Sequence, residues 1–291
     1  MKALVKKYDT TQIEDVEIPK LDDINNVLIK VELAAICRTD LNASKGFISC
    51  PNILILGHEF YGKIVDITAD VVKFKVGDKV TINPTAFGEN KNLMCGVDLD
   101  GAFAEYIKVP DYLVYKLPEN LSPQYSAYVE PVAASLAVIN ANLDRNENGC
   151  IYGDNRIAEL TSRILKNYDY ENILIHNQND NLEQNKYDFI IETVSSTKDI
   201  EKIIDAIKVG GTIVLKSRQY KPVEISINSL VKKNIKMTAV SYGDFCEAIE
   251  LMSSGKLNLD DLIGETYKLD DFEKAFTEAE KSESKKIYLE I

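Results

Sequence analysis

The sequence predicts an α/β protein in two parts, a β-rich unit followed by an open parallel sheet with helices on both faces. Two observations carry this. Ahead of Leu121-Ser122-Pro123, short β-type runs are separated by turn residues. Beyond it, apolar strands alternate with helical stretches in a βαβ rhythm. Hydrophobic residues at 45% and charged residues at 27% are enough to bury a core in each part.

The elements follow in order. Val27-Leu28-Ile29-Lys30-Val31-Glu32-Leu33 and Gly62-Lys63-Ile64-Val65-Asp66-Ile67 read as strands. Val76-Gly77-Asp78-Lys79-Val80 reads as a tight turn into a strand that closes at Asn83-Pro84, and Gly101 to Ile107 continues the pattern. Ser122 is placed to cap a helix with Pro123 at its first position, and apolar residues recur at helical spacing from Tyr125 to Ala141. Then come the strand Cys150-Ile151-Tyr152, a turn at Gly153 and a helix from Ile157 to Leu165. Ile173 to Ile175 and Phe189 to Ile191 are strands, and a helix from Ile200 to Ile207 ends at Gly210-Gly211. Strands Thr212 to Leu215, Ile235 to Val240 and Lys286 to Ile291 complete the chain.

Charge and cysteine usage exclude several function classes. A formal net charge of −12 argues against nucleic acid or an anionic membrane as the main partner. No apolar run reaches the length of a membrane span, and the first residues lack a secretory h-region. The five cysteines are an odd number, widely spaced and without a Cys-x-x-Cys pair. That pattern fits a reducing cytoplasm, with Cys50, Cys95, Cys150 and Cys246 read as buried small apolar residues.

Cys37 and His58 stand in Cys37-Arg38-Thr39-Asp40 and Gly57-His58-Glu59-Phe60, and Glu130 in Val129-Glu130-Pro131. Thiolate, imidazole and carboxylate are the donors of a catalytic zinc site that keeps its fourth position open. Such a site polarises an alcohol or carbonyl oxygen.

The order of these motifs, together with Val76-Gly77-Asp78-Lys79-Val80, Gly101-Ala102-Phe103-Ala104-Glu105-Tyr106 and Ser254-Gly255-Lys256, resembles the medium-chain dehydrogenase/reductase family of zinc alcohol and polyol dehydrogenases. The resemblance covers essentially the whole chain. It implies a GroES-like catalytic domain over residues 1–124, onto which 264–291 fold back, and a reduced Rossmann-like domain over 125–263. It implies a hydride transfer between NAD or NADP and a secondary alcohol or ketone, in a homo-oligomeric dimer or tetramer, with a non-catalytic binding protein of the same descent and a degenerate dinucleotide site as the alternative.

Within that resemblance Cys37, His58 and Glu130 are the expected ligands of one catalytic Zn2+, and Glu130 marks the polyol-type variant. Glu59 is the near alternative, a carboxylate able to swing in as a ligand. Thr39 is the expected proton relay, and Asp40 the carboxylate that fixes the His58 tautomer. Asn42 stands where relatives carry a second, titratable relay. The four cysteines of a structural zinc lobe are missing between Thr85 and Asp100, where Cys95 is alone.

The cofactor-binding set is Arg38, Gly153, Asp154, Asn155, Arg156 and Asn177. It departs from the dinucleotide fingerprint, which needs glycine where Asn155 stands and an acid where Asn177 stands. Arg156 is a candidate phosphate partner, Asp154 an adverse charge, and His176 either a 2′-phosphate contact or a plain loop histidine. Only a short connection joins Asn177 to the strand at Tyr187, so the helix, edge strand and helix usual there are expected to be lost.

Overall fold

In the computed structural model, residues 1–21, 24–87, 92–218, 220–281 and 285–291 are described. The chain divides into two units, Met1–Glu130 with Ile249–Ile291, and Pro131–Ala248.

The first unit opens with β1 (Lys2–Lys7), β2 (Thr10–Asp15), β3 (Asn26–Ala35) and the short helix α1 (Arg38–Ser44). Next come β4 (Ile53–Ile55), β5 (Glu59–Ile67), β6 (Lys79–Ile82), β7 (Thr85–Phe87), β8 (Asn92–Met94), β9 (Tyr106–Pro110) and β10 (Val114–Lys116). Helices α2 (Pro123–Ala127) and α3 (Val129–Leu136) follow. The βαβ region holds β11 (Gly149–Tyr152), α4 (Arg156–Asn167), β12 (Ile173–His176), β13 (Tyr187–Glu192) and α5 (Thr197–Ala206). It continues through β14 (Ile207–Leu215), α6 (Ile227–Lys233), β15 (Lys236–Ala239) and α7 (Phe245–Ser253). The chain ends with β16 (Ile263–Lys268), α8 (Phe272–Lys281) and β17 (Lys286–Glu290).

Two sheets organise the first unit. One has the order β2-β1-β4, and the larger runs β10-β6-β5-β3-β17-β16 with β9 also on β3. The last strand lies antiparallel on β3, Tyr288 opposite Ala35. Val27, Ile29, Val31, Phe60, Ile64, Phe103 and Leu289 fill the core between these strands, and burying such side chains is the main source of their stability. Ser122 caps α2 by accepting from Tyr125 N, with Pro123 at the first position, as its sequence predicts. The segment Gly101–Glu105 is not a strand. Ala102 N and Phe103 N instead donate to Gly57 O and Leu56 O at 2.9 and 2.8 Å, clamping the approach to His58.

The second unit carries one parallel sheet of order β12-β11-β13-β14-β15. Between Asn177 and Tyr187 there are only turns and coil, so β12 is an edge among the described residues. The strand β14 begins at Ile207 and passes through the glycine pair that sequence places at a helix end. Gly210 takes φ +82°, and the ladder to β13 shifts register between Tyr187 and Phe189, so the pair marks an irregularity inside a strand. Of the four cysteines read as buried, Cys95 and Cys150 are buried, Cys50 is half-buried and Cys246 is exposed. Cys246 sits on the solvent side of α7, whose buried positions are Phe245, Ala248, Ile249, Leu251 and Met252. No described helix is long and apolar enough to cross a membrane.

Candidate active site

Cys37 occupies the N-cap of α1 with extended backbone (φ −106°, ψ 158°). That places Thr39 and Asp40 in the first turn, buried, with Arg38 exposed between them and Cys37. Asp40 does two jobs. One carboxylate oxygen accepts from Cys37 N at 2.8 Å, and the other lies 3.0 Å from His58 Nδ1. A single carboxylate therefore positions a thiol and an imidazole from separate elements, and leaves His58 Nε2 as the ring nitrogen free to ligate.

His58 enters β5 from Gly57, whose φ of +96° suits glycine. A Cβ at Gly57 would lie 2.4 Å from the Phe103 ring, so the close packing demands glycine as well. The next residue, Glu59, turns its carboxylate into the same buried space, 3.9 Å from His58 Nε2. Its other oxygen pairs with the ammonium of Lys286, on β17 and completely buried. Lys286 also lies 5.9 Å from the centre of the Tyr128 ring. Sequence reading missed Lys286, and a lysine directly leading the apolar run Ile287-Tyr288-Leu289 was the available signal.

The electrostatics are those of a cation site. Burial pushes the Cys37 thiol up, but the hydrogen bond and charge of His58, with Lys286 behind it, bring it down to about 6. Burial opposes a charged His58, yet Asp40 and Cys37 raise it well above the ordinary histidine value. Burial carries the Glu59 carboxyl up to about 7 against the pull of Lys286.

Ligand atoms of Cys37, His58 and Glu59 lie within 4.8 Å of one another. Soft thiolate, imidazole and carboxylate fit zinc. Glu130 is buried in the first turn of α3, in the same unit, but its carboxylate is not one of that group. Cys95 is buried, its thiol pushed up to about 11 by burial, which keeps it a neutral apolar residue. The segment expected to lack a structural-zinc lobe is described only in part, since residues 88–91 lie outside the described residues.

In the second unit, Gly153 makes the turn after β11 at φ +137°, and a Cβ there would meet Thr193 Oγ1 at 2.1 Å. The side chain at 155 engages the helix that follows this turn. Asn155 is the N-cap of α4, and its Oδ1 accepts from Ala158 N at 3.0 Å. Its Nδ2 donates to Thr193 Oγ1 at 3.1 Å. Asp154 is exposed and Arg156 half-buried. Asn177 turns its carbonyl oxygen to Asn179 N at 2.8 Å, in a local turn. His176 is engaged at both nitrogens, Nδ1 at 3.3 Å from Asp180 and Nε2 at 2.8 Å from the Tyr187 hydroxyl. That supports the structural reading of His176 over the phosphate-binding one.

Residues 23–119 match the alcohol dehydrogenase GroES-like domain. The D-arabitol-phosphate dehydrogenase of Enterococcus avium is 24% identical, the match covering 100% of this chain and 97% of that protein. The L-threonine 3-dehydrogenase of Pseudoalteromonas translucida is 23% identical over 99% of each chain. The crystal structure of 2R,3R-butanediol dehydrogenase from Bacillus subtilis superposes with a TM-score of 0.86 at 25% identity, covering 100% of this chain and 99% of that one. Residues 23–119 thus carry an alcohol dehydrogenase GroES-like domain, and the chain is similar from end to end to polyol and threonine dehydrogenases and shares their fold.

Proposed function

We propose that the protein is a zinc-dependent oxidoreductase acting on a secondary alcohol or its ketone, with NAD or NADP as the hydride partner. The observation that carries this reading is the group Cys37, His58 and Glu59, the first two held in place by Asp40 and the third beside His58. Zinc held there supplies Lewis acidity, lowering the pKa of a bound alcohol, and the nicotinamide ring supplies the hydride acceptor.

The chain's own residues account for the rest. Cys37 and His58 are the fixed ligands, and Asp40 keeps the His58 proton on Nδ1. Glu59 has two alternatives, the ion pair with Lys286 and the metal position beside His58, so Lys286 sets how readily it ligates. Glu130 is the second carboxylate of the proposed set; it stands outside the Cys37, His58 and Glu59 group and would have to turn toward it to hold the metal in place of Glu59. Thr39, buried in the first turn of α1, carries the hydroxyl that would relay the alcohol proton, accepting it while passing its own proton on. Asn42 cannot titrate, so that proton leaves through another group or water. The names of relatives, D-arabitol-phosphate dehydrogenase, D-xylulose reductase and sorbitol dehydrogenase, favour a polyol or sugar alcohol as substrate. A homo-oligomer and a cytoplasmic location belong to the same reading.

Metal analysis followed by turnover tests it. Purified protein should carry one zinc per chain and reduce NAD or NADP with at least one member of a panel of pentitols, hexitols and their phosphates. Glu59→Gln should weaken zinc more than Glu130→Gln does. Zinc-loaded protein that turns over nothing with either dinucleotide sinks this reading. It would then favour a second one, a binding protein that keeps the metal but not the cofactor, for which the engaged side chain of Asn155 speaks.

A further inference from the structure

In an open parallel sheet, ligands bind outside the carboxyl ends of the strands, where neighbouring connections leave toward opposite faces. Here that point lies between β11 and β13, since the chain runs from β11 outward to the neighbouring β12 and then returns to β13 on the other side of β11. Two side-chain bridges cross it. Asn155, after β11, donates to Thr193 Oγ1 and, at 3.4 Å, to Thr193 O, both after β13. Gln178, after β12, donates to Asp199 Oδ2 at 3.2 Å, while Asp199 Oδ1 accepts from the Tyr152 hydroxyl at 2.8 Å. Thr193 is itself held, donating to Tyr152 O at 3.0 Å.

The first bridge uses the group a dinucleotide needs. A diphosphate docks on the free N–H groups of a helix N-terminus. In α4 the Asn155 oxygen already takes one of them, Ala158 N, and its amide is fixed to the opposite loop. The geometry points to Asn155 as an internal stopper: its side chain fills the diphosphate seat of this crevice, and a dinucleotide binds only by displacing it. This rests on the dehydrogenase reading and adds to it a residue that sets cofactor affinity.

The consequence is weak cofactor binding that a single substitution strengthens. Asn155→Gly removes the stopper and restores close backbone approach, at a small cost to the helix cap. The test is titration of the zinc-loaded protein with NADH and with NADPH, followed by nucleotide fluorescence and calorimetry without substrate. Asn155→Gly should bind at least one of them about tenfold or more tightly than the wild type, the gain expected from sparing a cap and its bridge. Asn155→Asp, which keeps the cap and adds a negative charge, should bind more weakly than the wild type. Thr193→Val frees the bridge from the other side and should give a smaller gain; it serves if the glycine variant fails a thermal-melt control. Wild-type binding as tight as that of Asn155→Gly overturns the stopper but leaves the dehydrogenase reading standing. Absence of binding in wild type, Asn155→Gly and Thr193→Val alike overturns both.

Discussion

Lys286 and Glu59 form an ion pair shut away from water, their side chains 1% and 2% exposed. Burying two charges is costly, and the pair holds only while both partners are present. Lys286→Met leaves the Glu59 carboxylate facing Cys37 without its cation. The zinc-free variant should lose roughly 3–5 kcal/mol of stability, the usual result of stripping one partner from a buried pair. Bound zinc restores a positive charge beside Glu59, so the zinc-loaded variant should lose much less. Urea unfolding with and without chelator checks this, and an equal loss in both states would contradict it.

Asp40 binds Cys37 N and faces His58 Nδ1, so its removal loosens two ligands at once. Asp40→Asn keeps the size and a capping oxygen but loses the charge that fixes the imidazole. Zinc affinity should fall by about 10–100-fold, the range seen when such supporting groups are lost. Competition against a chromophoric chelator measures it. Unchanged affinity would mean that His58 is oriented by packing alone.

The bend into His58 depends on Gly57, through its positive φ and the Phe103 ring at 2.4 Å from a Cβ added there. Gly57→Ala should cost about 2–5 kcal/mol, combining the left-handed backbone penalty with overpacking. It should also reduce zinc content in protein that does fold. Thermal melts with metal analysis test both effects, and an alanine variant as stable as the wild type would refute the packing argument.

Local chemistry explains what sequence could reveal. Ser122-Pro123 announced the start of α2 because an N-cap and a proline act through their nearest neighbours. Cys37, His58 and Asp40 were legible because short glycine- and threonine-containing motifs surround them, and the absence of a strand between Asn177 and Tyr187 followed from the shortness of that connection. Lys286 was not legible in that way. Its partner Glu59 is distant in sequence, and only the pairing of β17 with β3 carries the last strand into the site unit's main sheet. The role of Asn155 was half visible: its identity showed that a glycine was missing, while its partner Thr193 depended on how β11 and β13 lie side by side.

Asp199 gives the second unit a defined response to acid. Burial alone would raise its carboxyl, but donors from Ser196, Tyr152 and Gln178 hold it below the usual aspartate value. Its folded pKa thus lies below the unfolded one, about 3.9. The stability it contributes is fully present above the unfolded value and is lost as pH falls through the folded one. Asp199→Asn removes the charge that those donors stabilise, so the variant should be weaker than the wild type at neutral pH. As pH drops below about 4 the wild-type carboxylate takes up its proton and the gap should narrow. Urea midpoints for both proteins at neutral and acid pH provide the comparison, read from a signal of the second unit. A gap that stays constant across that range would show that Asp199 acts there through packing and shape rather than through its charge.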